Sequence, residues 1–224
     1  LAQRESSGFA FLQLEPSARS AALGGSFAAM YDDDINGMFY NPALLSDLVD
    51  RQLSVSFLNH VSDLRAGFAA YGFQLGGLGQ AGLGVRFLGW GDLTERDAAG
   101  EEIGSFNASD IAFTLGLARR FDDHVLLGAN VHSIFSRIGD FNASALAADV
   151  GLLYHTLDGG FTASASVHNL GLTLNSLGAV EDELPLDVRV ALSRRLRYLP
   201  LLVTVTGYNL QSIGELGSGS TGFD

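Results

Sequence analysis

The stretch Gln80–Trp90 reads QAGLGVRFLGW and alternates between two kinds of side chain. One parity carries Ala81, Leu83, Val85 and Phe87, and the other begins with glutamine, glycine, glycine and arginine. A repeat of two residues is typical of a β-strand with one apolar face, because successive side chains of a strand point to opposite sides. This segment therefore predicts a strand and not a helix.

The same alternation recurs along the chain. Segments with this pattern lie at 53–57, 64–75, 80–90, 109–121, 125–132, 146–155, 161–168, 186–195 and 199–206. Turn residues separate many of them, for example Gly76-Gly77 and Asp158-Gly159-Gly160. We count about nine amphipathic strands, several of them near the ~9–11 residues that cross a bilayer when tilted. The predicted fold class is all-β, with antiparallel strands.

Two all-β architectures fit this pattern. A soluble sandwich or barrel would bury the apolar parity, so that Leu83, Val85 and Phe87 pack inside. A transmembrane antiparallel β-barrel would turn these residues outward to lipid and face the other parity to its lumen. The strand lengths and a polar parity made mainly of glycine, alanine, serine and threonine favour the membrane barrel. Aromatic residues near strand ends favour it too, and they are Phe121, Tyr154, Phe161, Tyr198 and Tyr208.

Composition excludes several function classes. The 224 residues are 47% hydrophobic and have a formal net charge of −12, and all 13 basic residues are arginine. The acidic balance argues against nucleic acid as a partner, and the lack of cysteine excludes disulfides and thiolate metal sites.

The opening LAQRESS fits either a signal-peptide remnant or a fragment boundary. The polar insertion 92–107 predicts a longer extracellular loop of a barrel, an ordinary solvated β-hairpin loop, or both.

Residues 32–45 read DDDINGMFYNPALL, and their acids, with Asn36 and Gly37, resemble the first half of an EF-hand loop. The match ends there, because Ala43 stands where the bidentate glutamate is needed and Pro42 precedes it. We therefore expect no EF-hand, while a looser metal site formed by the three acids stays open.

Other motifs predict neither an enzyme nor a cofactor. Residues 77–82 and 217–222 fit GxGxxG, but no helix follows either one to hold a pyrophosphate. The histidines His60, His124, His132, His155 and His168 have no ligand-like spacing and are interpreted as polar lumen residues. Charged residues predicted to face the lumen are Arg86, Asp110, Arg120, Asp149, Asp187 and Arg189. In a narrow lumen these must pair or be hydrated, as a structural salt-bridge network or as the lining of a pore or plug.

Residues 9–47 resemble the opening of the PorQ family of the type IX secretion system. The matching elements are FAFL at 9–12, PSARSAALGG at 16–25, DDDIN at 32–36 and NPALL at 41–45. Later blocks that resemble the family are GSFNASD at 104–110, residues 141–154, HNLG at 168–171 and ELPLD at 183–187. The related PorV proteins usually carry Asn-Pro-Ala-Gly at the turn, whereas Leu44 follows Ala43 here.

The resemblance implies a FadL-like outer-membrane β-barrel of fourteen strands, whose N-terminal segment folds into the lumen as a hatch. It divides the chain into 1–50, the hatch segment with a first strand, and 51–224, the barrel strands. The implied hatch residues are Leu23, Gly24, Gly25, Asp32, Asp33, Asp34, Asn36, Asn41, Pro42, Leu44 and Leu45. We expect the three acids to pair with arginines of the barrel wall, and Pro42 to hold Asn41 extended in a rigid turn. Nine or ten strands are fewer than fourteen, so we expect a partial chain that lacks C-terminal strands.

The implied function is export and cell-surface attachment of cargo that carries a C-terminal signal. The implied location is the outer membrane of Gram-negative Bacteroidota, and the partners are outer-membrane lipid and PorV-, PorU- and PorZ-like proteins, without nucleic acid. An alternative is a FadL-like transporter of hydrophobic small molecules across the outer membrane. A third hypothesis is a soluble all-β binding domain.

Overall fold

The computed structural model describes residues 9–59, 63–177 and 183–212. Within these ranges, the strands are β1 Leu53–Asn59, β2 Arg65–Gln74, β3 Gln80–Arg96, β4 Glu102–Arg120, β5 Val125–Ile138, β6 Phe141–His155, β7 Phe161–Asn175, β8 Asp187–Arg195 and β9 Leu202–Gly207. One short α-helix, α1 Ala18–Ala22, precedes them. The 3₁₀ turns are Ala10–Gln13, Ile35–Phe39, Pro42–Leu44, Asp47–Val49, Gly76–Leu78 and Leu210–Ser212. Among the described residues, no helix combines the length and apolar character needed to cross a membrane.

The strands form one antiparallel sheet in which each strand pairs with the next in sequence, from β1 to β9. Over the described part of the chain, β1 and β9 are the two edges and the sheet does not close on itself. The prediction of an all-β antiparallel fold with about nine strands is confirmed. Closure into a barrel and a FadL-like architecture stay predictions.

Burial alternates along the strands in the opposite sense to a soluble sheet. On the outer face, Leu83, Phe87 and Phe113 are 41–49% exposed, although all three are large and apolar. On the inner face, Arg86 and Ala112 are buried. The inward packing of the apolar parity that a soluble sandwich requires is therefore wrong for Leu83 and Phe87, because the inner face is occupied by the N-terminal segment.

The hatch, defined here as residues 9–50, lies across the inner face of the sheet. It forms the centre of two apolar clusters. One contains hatch residues between 27 and 49, with Ala70, Ala118, Leu126, Leu153 and Ala191 of the strands. The other contains Phe9, Phe11 and Leu12, with residues such as Phe68, Leu88 and Ile134. The described hatch contains α1 and 3₁₀ turns, so the first strand begins at Leu53, beyond the predicted 1–50 segment and not inside it.

Strands β3 and β4 extend beyond their neighbours. The pairing of β3 with β2 ends at Gly89, and the pairing of β4 with β5 ends at Ala108. A bulge in the β3–β4 pair lies between Gly89 and Asp92. The part that continues, residues 90–107, is called the β3–β4 ribbon below. The segment 92–107 is thus mostly strand with a tight turn at 97–101, which agrees with the predicted β-hairpin, while an extracellular position stays a prediction. Cross-strand pairs such as Leu93 with Phe106 explain why it forms a hairpin.

Candidate functional site: the seat of the hatch

A row of glycines on β2 to β6 forms the floor on which the hatch rests. Its members are Gly72, Gly82, Gly84, Gly116, Gly128 and Gly151. The strand register places Gly82 opposite both Gly72 and Gly116, and it places Gly128 opposite Gly151. The glycines therefore lie side by side within β2–β4 and within β5–β6, whereas Gly116 lies opposite Asn130, and their missing side chains leave a shallow depression in the sheet.

The hatch fills this depression at close range. A Cβ added at Gly128 would overlap the backbone of Pro42 and Ala43, and one at Gly82 would lie 2.8 Å from Leu45 Cδ2. A side chain at these positions would push the hatch away from the wall. Glycine is needed here for close approach of two backbones rather than for an unusual backbone conformation.

The turn that sits on the glycine row is shaped by its own sequence. The Asn41 side chain accepts a hydrogen bond from Ala43 N at 2.9 Å, and Pro42 occupies the first position of the 3₁₀ turn. Asn41 has φ −159° and ψ 118°, which confirms the extended conformation predicted for a residue before proline. Its amide Nδ2 then donates to Leu152 O at 3.1 Å, so one side chain both caps the turn and ties it to β6.

Buried polar side chains of the wall bind backbone carbonyls of the hatch. A buried carbonyl without a partner costs roughly 1–3 kcal/mol of stability. These bonds therefore offset the cost of burying the irregular backbone of the hatch against the sheet. Three such pairs are Asn130 Nδ2 to Met38 O at 2.9 Å, Ser164 Oγ to Ala28 O at 2.7 Å, and Arg86 Nη1 to Leu12 O at 2.5 Å. The Arg86 guanidinium also lies 4.3 Å from the centroid of the Phe39 ring.

Asp149 is the centre of a buried polar network on the inner face. It is 2% exposed. His132 Nε2 lies 2.8 Å from its Oδ2, and His168 Nδ1 lies 3.3 Å from the same oxygen. Asn169 N donates to Oδ1 at 2.9 Å, which a bulge between Ala148 and Val150 and a positive φ of 58° at Asn169 make possible. A buried carboxylate is stable only with such a set of donors.

The second ring nitrogen of each histidine contacts a hydroxyl group. Thr114 Oγ1 lies 2.9 Å from His132 Nδ1, and Ser166 Oγ lies 2.8 Å from His168 Nε2. The order Ser166–His168–Asp149 is that of a hydrolase triad. Ser166 is 4% exposed, however, and its Oγ donates to the hatch carbonyl of Tyr40 at 3.4 Å, so the hatch covers this hydroxyl group. In this state the network holds the hatch.

Ion pairs within the hatch and at its end complete the electrostatics. Arg19 binds Asp32 and, at 3.0 Å, Asp34, so the acids pair inside the hatch and the expected pairing with wall arginines is wrong for these two. Where the hatch leads into β1, Arg120 Nη2 of β4 lies 3.1 Å from Asp47 Oδ1. Burial and a hydrogen bond with Glu15 raise the pKa of Tyr40, which keeps its phenol neutral.

The predicted hatch residues occupy different depths. Gly25, Asn36, Asn41, Pro42, Leu44 and Leu45 are buried, Asp32 and Asp34 are half-buried, and Leu23, Gly24 and Asp33 are exposed. The buried part of the hatch therefore centres on residues 35–46. The segment around Leu23, which is 39% exposed, lies outside this contact.

The predicted lumen charges all lie on or beside the inner face, but they form separate groups and no continuous ladder. Arg86, Asp110, Asp149 and Asp187 are buried. Asp110 accepts hydrogen bonds from Trp90 Nε1 at 2.8 Å and Ser136 Oγ at 2.5 Å, and Asp187 pairs with half-buried Arg189 at 2.6 Å. Arg120 is exposed at the strand end, where it binds the hatch.

The remaining motifs lie outside the site. Within the described ranges, no group of three or more metal-ligating side chains is assembled, and Asp34 uses its Oδ1 to cap Asn36 N at 3.0 Å. Residues 77–82 form the turn between β2 and β3 and the start of β3. The segment 217–222 and His60 fall outside the described residues.

Sequence reasoning missed two features of the seat. Glycine was predicted only as part of the small, polar parity of the strands, whereas the inward glycines form the surface that the hatch contacts. Sequence reasoning also left His132 and His168 without partners, whereas they share Asp149. The signal for the glycines was present, because they fall on the same parity as Arg86 and Asn130 in neighbouring strands. The histidines meet only through strand register.

A scan against protein-family models finds no match, and a search of the curated proteins finds none either. The residues of the sheet and hatch are therefore the basis for any assignment of function.

Proposed function

We propose that this chain is an outer-membrane β-barrel component of the type IX secretion system. It would dock other secretion proteins and take part in the export and surface attachment of cargo with a C-terminal signal. The observation that carries the membrane assignment is the inverted burial of the strands, with apolar side chains outside and small or polar ones inside.

The outer face is too apolar for contact with water alone. Large side chains in its middle are 46–56% exposed on β4, β5, β6 and β8, namely Phe113, Val131, Val150 and Val190. Water-soluble monomers rarely expose contiguous apolar patches of more than a few hundred Å². Moving apolar surface from water into lipid gains roughly 25 cal/mol per Å², so a bilayer is the environment that this face fits.

The hatch supports the secretion part of the proposal. The PorQ-like block NPALL at 41–45 is the turn that packs against Gly128 and Gly82, so the resemblance falls on residues with a structural task. The block at 16–25 contains α1 and exposed Leu23 and Gly24. A plugged inner face with an exposed hatch surface suits docking of proteins.

The seam between the hatch and the strands supports small-molecule transport less well than it supports protein docking. Transport of a hydrophobic compound predicts an apolar pocket there. A cavity at this seam, lined by residues such as Leu45, Asp47, Arg120 and Leu126, measures about 190 Å³. Pockets for drug-sized ligands measure roughly 300–1,000 Å³. The cavity also has a charged rim, which favours docking over transport.

Fractionation of cells that express the chain tests the membrane part. The protein should sediment with the outer membrane and require detergent for extraction. A protein that stays monomeric in aqueous buffer without detergent would refute the assignment, because the outer face would then be wetted.

Affinity purification from the native outer membrane, after mild crosslinking, tests the secretion part. We expect PorV-, PorU- or PorZ-like proteins to be recovered with the tagged chain, and not with an unrelated tagged barrel from the same membrane. Recovery of lipid-like small molecules without these proteins would replace the docking function with transport.

A further inference from the structure

Neither outer edge of the β3–β4 ribbon has a partner strand among the described residues, but Asp63 lies against the β3 edge at Gly91, which leaves the β4 edge as the more open one. Pairing between β4 and β5 ends at Ala108, and Gly139 N donates to Asn107 O at 2.9 Å. Beyond that point, over residues 102–106, the edge of β4 that faces away from β3 has no neighbouring strand among the described residues. An isolated two-stranded ribbon is marginally stable in water, and an open edge is a template for a further strand.

The ribbon is held in shape before any partner binds. At its base, Trp90 Nε1 donates to buried Asp110 at 2.8 Å. At its tip, Asp97 Oδ1 accepts hydrogen bonds from Ala99 N and Glu101 N, both at 2.9 Å. Such pre-organisation lowers the entropy that an incoming strand must lose on binding.

The charge of the ribbon selects the partner. Its carboxylates are Asp92, Glu95, Asp97, Glu101 and Glu102, and Arg96 is its one base, so five negative charges and one positive charge give −4. The whole chain carries −12, so a third of the net charge lies in these 18 residues. Arg96 is already paired with Glu102 at 2.5 Å. Within the open β4 edge, Ile103 is 60% exposed and offers an apolar contact.

We propose that the open β4 edge of the ribbon, residues 102–106, docks an extended basic segment of a partner protein as an added strand. Main-chain hydrogen bonds supply the attachment, and the carboxylates select lysine or arginine side chains. The ribbon presents this edge whether or not the sheet lies in a membrane, so the inference goes beyond the proposed function and does not rest on it.

Fluorescence anisotropy with a labelled (Lys-Thr)₅ peptide tests the charge requirement on the full chain in detergent. The acidic (Glu-Thr)₅ peptide should not bind, and raising the salt concentration should weaken (Lys-Thr)₅ binding. The double variant Glu95→Gln/Glu101→Gln should weaken binding by about two- to thirtyfold. Asp33→Asn/Asp123→Asn removes the same charge elsewhere on the surface and should change affinity less than about twofold. Equal effects of the two double variants would overturn the proposal.

Hydrogen exchange tests the strand addition. At saturating (Lys-Thr)₅, amides within residues 102–106 should exchange more slowly, while those of the turn 121–124 should be unchanged. Binding without protection of the β4 edge would overturn strand addition and leave charge attraction alone. Because the wild-type chain is used, a misfolded variant cannot obscure the result.

Discussion

Along β6, Leu146 and Val150 point outward and remain 45–47% exposed. On the opposite face of the same strand, Asp149 and Leu153 are 0–2% exposed beneath the hatch, and Gly151 lies next to Asn41. Neighbouring positions of one strand thus meet different demands. The outer positions need only suit their surroundings, and any apolar side chain of similar size does so. The inner positions must fit one segment of this chain, atom by atom.

This difference teaches where substitutions matter and why. An outer position responds to polarity, because its environment is extensive and uniform. An inner position responds to volume and to hydrogen-bond partners, because interiors are close-packed and buried polar groups need satisfaction. The comparison is tested by placing a charge on the outer face, and by removing a hydrogen-bond acceptor or adding volume on the inner face.

Asp149→Ala should have the largest effect on the inner face. It removes the shared acceptor of His132 and His168 and leaves Asn169 N without its bond, so the free energy of unfolding should fall by about 3–5 kcal/mol. Urea unfolding followed by the fluorescence of the single tryptophan measures this. Asp33→Ala, at an exposed hatch position, should cost about 0.5 kcal/mol or less. Similar losses for both variants would contradict the assignment of Asp149 as the network centre.

Val85→Arg tests the outer face. On a lipid-facing surface at mid-membrane, an arginine should cost about 2–4 kcal/mol and reduce the amount of protein in the outer membrane. Thr94→Arg, on the ribbon of the same strand, should insert like the wild type, since this residue is exposed beyond the paired sheet. Fractionation and urea unfolding provide the comparison. Normal insertion of Val85→Arg would contradict a lipid-facing outer surface.

Gly128→Ala tests the close approach of the hatch. The added methyl group overlaps Pro42 and Ala43, so stability should fall by about 1–3 kcal/mol and amides of the hatch turn should exchange faster. Gly67→Ala on β2 is the matched control, because its Cβ would meet no atom within 4 Å. Hydrogen exchange of residues 38–44 distinguishes the two. An unchanged turn in Gly128→Ala would show that the seat has room to adjust.

Arg120→Gln should have the smallest effect. The ion pair with Asp47 is exposed, so its loss should cost about 0.2–1 kcal/mol at low salt and less at high salt, where the charges are screened. Arg119→Gln at the adjacent exposed position provides the control. Unfolding at two salt concentrations measures the difference. A loss that does not depend on salt would assign Arg120 a packing role.

The outer face could be predicted from sequence because its signal is local. Leu83 and Phe87 read as one face through strict alternation, and the structure exposes both. The inner face was harder to read, since it mixes Arg86 with Leu126 and Leu153, which alternation alone does not place beneath a hatch. For the β3–β4 ribbon, the sequence predicted a hairpin loop but not how far its strands pair, because its charges conceal the pairing of Leu93 with Phe106.

The sequence by itself determined the strand count, the antiparallel all-β class and the extended backbone at Asn41, because side-chain alternation and the ring of proline act within a few residues. Only the tertiary structure decided that Gly128 meets Pro42, that Arg19 pairs with Asp34 and that two histidines share Asp149. These contacts join residues up to 86 positions apart, as from 42 to 128, and depend on strand register and on the path of the hatch. Neither of these is written in any short stretch of the chain.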